Sequence, residues 1–213
     1  MRLFEVIDGQ ANAVEEPNEF ETFMNTIESE CSMIWNMYKN TDFLYRGVKT
    51  NEDIVVKSIR NDRRPTDLDP RIHELSIEAY KKLGVKAHRG NSIFCSPDQG
   101  IAEAWGDPYI VFPTDPFQFS YLMNWREFAQ KHLSDFGSSI STALNYPYFM
   151  LTYLVDHKTT VDELAAILQE AGLARSGLPM AIENELEVLI TGRKYYAVST
   201  VYEEEVKMFI DMS

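Results

Sequence analysis

Three glutamates between residues 183 and 187 stand at alternate positions, a spacing that could place their carboxylates side by side. Glu183, Glu185 and Glu187 are followed by the apolar run at residues 188–190. We predict a strand over residues 185–190, because alternate side chains of a strand share one face. Carboxylates so close together are spread into solvent or stabilise a developing positive charge. The segment therefore predicts either an ordinary charged edge strand or an acidic catalytic face.

An arginine followed by glycine ends the aromatic and aliphatic run FLYRGV at residues 43–48. The guanidinium fork of Arg46 is suited to binding a pyrophosphate through paired hydrogen bonds. Gly47 lets the backbone approach a ligand closely, because it carries no side chain. The alternative is an ordinary surface arginine at the end of a strand.

A serine lies where an extended segment turns into a short helix, in FCSPD at residues 94–98. Ser96 is placed to cap a helix over residues 97–105, which is the common role of serine at such a position. Its alternative role is in the chemistry of a site at the end of the strand.

Basic residues are concentrated in RNDRRP at residues 60–65 of an otherwise acidic chain. Arg64 in this loop could supply a second contact to a phosphate group. The alternative is a run of charges in contact with solvent only.

The strand-end arginine, the serine before a helix and the Glu-x-Glu strand occur in one order along the chain. In that order and context they resemble the Arg, Ser and Glu-x-Glu motifs of the clostridial- and cholera-toxin-like ADP-ribosyltransferases. The small phage members of this class, which modify host proteins, are the nearest in pattern. The resemblance covers roughly residues 43–198, and each motif alone is weak.

The resemblance implies NAD as the substrate and assigns roles to the candidate residues. Arg46, Gly47, Ser96 and Arg64 would bind NAD, and Arg46 and Ser96 would also belong to the catalytic set. Glu187 would stabilise an oxocarbenium-like transition state, as a carboxylate does in glycosidic cleavage. Glu185 would orient an acceptor guanidinium. No metal site is predicted.

Two further features bear on the resemblance. The family usually has Ser-Thr-Ser where this chain has Phe94-Cys95-Ser96, so the serine that orients the catalytic glutamate is missing. We therefore expect this departure to affect the rate of NAD turnover more than the fold. Aromatic residues that include Phe94 could provide a face for nicotinamide or adenine, although aromatics at such spacing more often belong to the core.

Composition narrows the class of partner. The chain of 213 residues is 45% hydrophobic and has a formal net charge of −13. That charge repels phosphate backbones and anionic lipids, which disfavours nucleic acid and membranes as partners. The cysteines, Cys31 and Cys95, suit neither a zinc site nor a disulfide framework. We expect a cytoplasmic protein, without secretory signal or membrane-spanning segment.

The hydrophobic patterns predict a mixed α+β fold with a two-sheet core like that of the ADP-ribosyltransferases. We expect one domain over residues 1–213, with an N-terminal helical element and a helical insertion at about 123–175. Helices are predicted for residues 70–83, 97–105, 125–136, 139–155 and 161–173. Strands are predicted for residues 2–7, 43–48, 54–59, 93–96, 109–112, 117–121, 185–190, 195–200 and 206–212.

The function predicted from the sequence is transfer of ADP-ribose from NAD to a side chain of a target protein, with release of nicotinamide. Arginine is the expected acceptor, and a bacterial host protein the expected target if a phage encodes the chain, which would place it in the host cytoplasm. One alternative is ADP-ribosylation of nucleic acid. Another is a non-enzymatic acidic inhibitor that mimics the charge of nucleic acid.

Overall fold

The computed structural model describes residues 19–64, 69–132, 154–156 and 158–213. The strand predicted over residues 2–7 lies outside these ranges, as does most of the helix predicted over 139–155. The single domain over 1–213 and the helical insertion at about 123–175 stay predictions.

The fold is mixed α+β with two antiparallel sheets, as the sequence predicts. In chain order the elements are α1 (Glu19–Glu30), α2 (Ser32–Tyr38), β1 (Tyr45–Val48), β2 (Ile54–Ser58), α3 (Pro70–Lys82), β3 (Ile93–Cys95), α4 (Gln99–Glu103), β4 (Asp107–Pro113), β5 (Gln118–Leu122), α5 (Trp125–His132), α6 (Val161–Glu170), β6 (Leu173–Ala174), α7 (Leu178–Glu183), β7 (Val188–Thr191), β8 (Lys194–Ser199), a short 3-10 helix (Thr200–Tyr202) and α8 (Glu203–Met212).

Each sheet has four strands. The first has the order β1-β4-β8-β2 and the second the order β3-β7-β5-β6. The inner edges of the two sheets meet at one place, where Tyr45 of β1 and Ser96 pair backbone to backbone. The Tyr45 N–H donates to the Ser96 carbonyl at 2.7 Å, and the Ser96 N–H donates back at 2.9 Å.

Buried apolar side chains form two clusters, one on each side of the second sheet. The larger cluster joins α1, α2 and α8 to both sheets and contains Trp35 and Phe112. The smaller cluster packs α3, α5 and α6 together and contains Tyr80, Trp125 and Leu168. Burial of one such side chain contributes about 1.5–3 kcal/mol, so these clusters fix the positions of both sheets.

Helix α3 illustrates how local signals set an element. Asp69 caps its N-terminus by accepting from the Arg71 N–H at 2.8 Å, and Pro70 occupies the first turn. Proline suits that position because its missing N–H would have no helical partner there. Gly84 follows the helix with a positive φ, the backbone conformation that commonly ends a helix at a glycine.

The Glu-x-Glu segment is not a strand, so the prediction for residues 185–187 is wrong. Helix α7 ends at Glu183, and the Leu186 N–H then donates to the Ala181 carbonyl at 2.9 Å. Glu185 has the positive, left-handed φ that is typical of such a helix ending. Strand β7 begins only at Val188. The three glutamates therefore lie on a helix end, a turn and the approach to a strand, and share no strand face.

Three other elements differ from the prediction. Residues 206–212 belong to helix α8 and not to a strand, with Val206 and Ile210 buried one turn apart. The predicted first helix is divided at Cys31 into α1 and α2. Helix α4 is capped by Asp98, whose carboxylate accepts from the Gly100 N–H at 2.8 Å, so Ser96 is not its cap.

Within the described ranges, no helix combines the length and apolar character needed to cross a bilayer.

Candidate anion-binding site

Arginine side chains cover the inner edge of β3, the edge that faces away from β7. Alternate residues of a strand direct their carbonyls to the same edge. The carbonyls of Ser92, Phe94 and Ser96 therefore face one edge of β3, and Ser96 pairs there with Tyr45 of β1. The carbonyl of Phe94 accepts from Nη1 of Arg46 at 2.9 Å. The carbonyl of Ser92 accepts from Nη1 of Arg63 at 2.6 Å. Two guanidiniums from different segments are therefore held side by side along β3.

A third guanidinium, that of Arg89, lies with that of Arg63 over the ring of Phe94. The Arg63 Cζ lies 5.1 Å from the ring centroid and the Arg89 Cζ lies 5.7 Å from it. Each contact is within the range of a cation–π interaction, which offsets part of the cost of bringing the cations together. We call the site formed by Arg46, Arg63, Arg89 and Phe94 the arginine cleft.

The electrostatics of the arginine cleft favour an anion. Burial lowers the pKa of Arg63 to about 10, and the nearby charges of Arg46 and Arg89 act in the same direction. Arg63 therefore stays protonated at neutral pH although its charge is disfavoured. A bound carboxylate or phosphate would relieve this repulsion and form charge-assisted hydrogen bonds, each worth roughly 1.5–3 kcal/mol.

Arg46 connects the two sheets across the cleft. Besides its hydrogen bond to the Phe94 carbonyl of the second sheet, its guanidinium is near enough to the hydroxyl of Tyr195 on β8 of the first sheet to lower the pKa of that hydroxyl. Tyr195 is buried, and this burial raises the pKa of its hydroxyl while Arg46 acts against the rise. The Arg46 guanidinium is therefore close to polar groups of both sheets.

Glu187 lies in the same neighbourhood as Arg46, around the buried thiol of Cys95. It immediately precedes β7, whose Val188 is paired with Cys95 of β3. Burial raises the pKa of the Cys95 thiol to about 12, and both Arg46 and Glu187 contribute to its electrostatic environment with opposite signs. The structure therefore brings Arg46 and Glu187 to the surroundings of one buried thiol. Glu187 is half-buried, and its charge would stabilise a cationic or electron-poor group bound nearby.

Three other residues proposed from the sequence have structural surroundings that differ from the expectation. Ser96 is buried, and its Oγ accepts from the Asp98 N–H at 3.1 Å, so it shapes the turn before α4. Gly47 packs against α4: a Cβ added there would lie 2.3 Å from the carbonyl of Ala102. Arg64 is exposed, and its neighbour Arg63 is the residue of this loop that enters the cleft.

Glu185 lies outside the arginine cleft. Its carboxylate pairs with Nη2 of Arg126 at 3.2 Å, with both side chains more than half exposed. It also lines a cavity of about 300 Å³ together with Glu183, Glu203 and Lys207. That cavity lies against the ring of Tyr45, on α7 and α8, and is predominantly acidic.

Sequence reasoning missed Arg63, Arg89 and Tyr195. Arg89 belongs to a basic loop directly before β3. A cation next to the start of a strand is the feature of the sequence that could have indicated its place in the site. Nothing in the sequence distinguishes Arg63 from Arg64, because the register of an irregular loop cannot be read from residue types. In the part of the chain that the structure describes, no cluster of three or more metal-binding side chains is found.

The fold and the site together define an α+β protein with two antiparallel sheets and three arginines clustered at strand β3, beside the place where the sheets meet. No family model matches the chain, and no solved structure matches it. Among curated proteins the chain is similar to glutathione S-transferase U26 of Arabidopsis thaliana, with 31% identity over 94 residues. That stretch is 42% of this chain and 42% of the relative, so the chain spans less than half the length of the protein that it matches.

These comparisons correct the identification as an ADP-ribosyltransferase. None of them points to that family, and the partial similarity is to another kind of transferase. The predicted transfer of ADP-ribose to protein or nucleic acid is therefore wrong, and a phage setting has no support. Similarity to an enzyme also counts against a non-enzymatic inhibitor. The coarser prediction, a transferase, agrees with the similarity.

Proposed function

We propose that the protein is a transferase that binds an anionic cosubstrate in the arginine cleft. The observation that carries the proposal is the convergence of Arg46, Arg63 and Arg89 on Phe94 in a chain with a net charge of −13. Guanidiniums brought together from three separate segments oppose one another, so an arrangement of this kind is typical of a site for a bound anion.

Glutathione is the first candidate for the cosubstrate. The partial similarity to a glutathione S-transferase supports it, and its carboxylates match the paired donors of the guanidiniums. In this proposal the arginines hold the carboxylates, and Glu187 faces the reacting end of the bound molecule. A half-buried carboxylate there could accept a proton from the thiol as it attacks an electron-poor acceptor.

NAD is the second candidate ligand, because its pyrophosphate also presents anionic oxygens to a guanidinium fork. The proposal for NAD concerns binding alone. The guanidiniums of Arg63 and Arg89 already lie over the ring of Phe94, the aromatic side chain that the sequence offers as a face for nicotinamide or adenine. Binding of a target protein, which the sequence predicts, stays a prediction.

Isothermal titration calorimetry with glutathione and with NAD tests the proposal. We expect one of them to bind the wild type, and Arg63→Gln to weaken binding roughly ten-fold or more through loss of a charge-assisted contact. Arg64→Gln is the matched control, since it removes the same charge one position along the loop. Absence of binding of both ligands, or equal loss in the two variants, would contradict the proposal.

Turnover is measured separately, as conjugation of glutathione to a chromogenic electrophile. We expect Glu187→Gln to lower the rate constant for conjugation while glutathione affinity changes little, because the proposed role of Glu187 is in proton transfer. Glu185→Gln is the control for loss of one nearby carboxylate, and it should leave the rate constant unchanged.

A further inference from the structure

Strand β2 forms one edge of the first sheet, whose order is β1-β4-β8-β2. Within the described ranges, β8 is the one strand that pairs with it. The pairing continues by one residue beyond each end of β2. The Asp53 carbonyl accepts from the Ser199 N–H at 2.8 Å, and the Ile59 N–H donates to the Arg193 carbonyl at 3.1 Å. Residues 53–59 are therefore one extended edge.

The backbone groups of this edge face two ways in alternation. Asp53 and Ile59 bond toward β8, so the odd-numbered residues between them do the same. The N–H and C=O groups of Ile54, Val56 and Ser58 therefore point outward, away from β8. A row of such groups is ready to pair with one more strand.

The side chains of the even-numbered residues share one face of the sheet. Val56, at the middle of the segment, is 50% exposed, although valine is usually found in the interior. Glu52 and Arg60, one residue beyond each end of the paired segment, are exposed as well. This face therefore has an apolar centre between an acidic end and a basic end.

An antiparallel pairing of two copies of β2 about Val56 is self-complementary. A two-fold axis at this residue sets Val56 opposite Val56 of the second copy, and Ile54 opposite Ser58. The outward backbone groups of all three residues then meet their equivalents as hydrogen-bonded pairs. The same axis sets Glu52 opposite Arg60, and symmetry makes this contact twice.

The charges favour this register over its neighbours. An axis at Ile54 or at Ser58 would keep outward groups in pairs, but it would set Glu52 or Arg60 opposite the apolar Val56. A shift by one residue would turn the outward groups away from one another. With the axis at Val56, each end of the segment meets the opposite charge.

Two other charges near the edge do not oppose the pairing. Lys57 lies opposite Val55 of the second copy when the axis is at Val56, so it meets no like charge. Arg60 pairs with Asp62 of its own chain at 3.2 Å, and these side chains are 69% and 72% exposed. An exposed ion pair of this kind contributes little, so Arg60 is free to exchange it.

We propose that β2 is a dimerisation edge, on which a second copy of this chain adds its own β2 antiparallel about Val56. The two four-stranded sheets would then form one continuous sheet. This inference stands apart from the proposed function, since it involves neither the arginine cleft nor a ligand. The contact is a single short strand, so we expect reversible association of the weak class.

Sedimentation equilibrium of charge-reversed variants tests the proposal. The salt concentration is about 0.15 M, where screening beyond about 8 Å weakens the general repulsion between two acidic chains. Glu52→Arg alone and Arg60→Glu alone each set like charges opposite one another at both ends of the interface. We expect each to raise the dimer dissociation constant about ten-fold. The double variant restores opposite charges and should return to within about three-fold of the wild type.

Two properties make this set of variants specific. Glu52→Arg reduces the net negative charge and Arg60→Glu increases it equally, so general repulsion would move the two dissociation constants in opposite directions. In one chain the two residues are about 26 Å apart along the extended segment. Restoration in the double variant therefore requires a contact between copies.

Val56→Lys is an independent test at the axis. It sets two lysines opposite one another, so the dimer should be lost over the concentration range in which the wild type associates. Met180→Lys is the matched control, because Met180 is 49% exposed on α7, away from β2. It should leave the dissociation constant unchanged.

Three results would overturn the proposal. A wild type that is still monomeric at about 1 mM has no specific dimer, and its β2 edge is bare or is covered by another segment of the chain. A dimer that neither single charge reversal weakens uses another surface. A double variant as weak as the single variants would refute the two-fold pairing about Val56.

Discussion

Replacement of Gly47 by alanine distinguishes two roles for this glycine. From the sequence, Gly47 would admit a ligand close to the backbone next to Arg46. In the structure, the space above it is filled by α4 and the turn that follows. A Cβ at this position would lie 2.3 Å from the Ala102 carbonyl oxygen and 2.8 Å from the nitrogen of Gly106. Atoms of this kind do not approach so closely without displacement of the backbone.

The size of the effect follows from what must move. The obstructing atoms are backbone, so no flexible side chain can turn aside, and the cost should lie toward the upper part of the range usual for overpacking. We therefore expect Gly47→Ala to lower the free energy of unfolding by roughly 2–3 kcal/mol. For a chain of this length that is about 4–12 °C in melting temperature.

Urea unfolding and calorimetry measure this change, and Gly192→Ala is the control. A Cβ at Gly192 would lie 3.4 Å from Cβ of Phe117, an ordinary van der Waals contact, so the control should change stability little. A melting temperature of Gly47→Ala equal to that of the wild type, together with reduced ligand affinity, would refute the packing argument and restore the ligand role.

Four further predictions follow from the contacts described. Glu185 has a left-handed φ, which strains a β-branched side chain but not glycine. Glu185→Val should therefore lower the unfolding free energy by about 1 kcal/mol or more in urea unfolding, whereas Glu185→Gly should not. Burial lowers the pKa of His88 to about 4, so the free energy of unfolding should be unaffected by this residue above about pH 6.5 and should fall by up to about 3 kcal/mol toward pH 4. In urea unfolding, His88→Asn should show a weaker pH dependence than the wild type. Oγ1 of Thr160 caps α6 by accepting from the Glu163 N–H at 3.3 Å, so Thr160→Ala should cost about 1 kcal/mol, measured by chemical denaturation. Burial raises the pKa of Cys31 and Cys95 to about 12, so a thiol reagent at mildly alkaline pH should label them only after unfolding.

The elements that the sequence predicts well are those with strong local signals. Helix α3 has a capping aspartate, a proline in its first turn and a closing glycine, and its bounds are close to the prediction. Strands β4 and β5 carry aromatic and aliphatic runs with prolines between them, and both were expected. In each case local chemistry and tertiary packing favour the same structure.

The errors arise where two local patterns compete. The alternation of acidic and apolar residues before Val188 fits a strand, yet the hydrogen bond from Leu186 back to Ala181 ends a helix there. In α8, the burial of Val206 and Ile210 has the helical period, but the apolar residues are too few to exclude a strand. The site depends on contacts between residues far apart in the sequence. No local pattern of residues predicts that Arg63 packs over Phe94.

The arginines of the cleft also have a consequence for how the protein behaves among copies of itself. Strand β3 is the inner edge of its sheet, and a bare edge of this kind can recruit a strand from another molecule. Here the carbonyls of Ser92 and Phe94 are already taken by guanidiniums, and the bridge from Tyr45 to Ser96 closes the next position. The same side chains that would bind a ligand thus protect this edge from strand addition, so variants that remove them should be examined for self-association as well as for affinity.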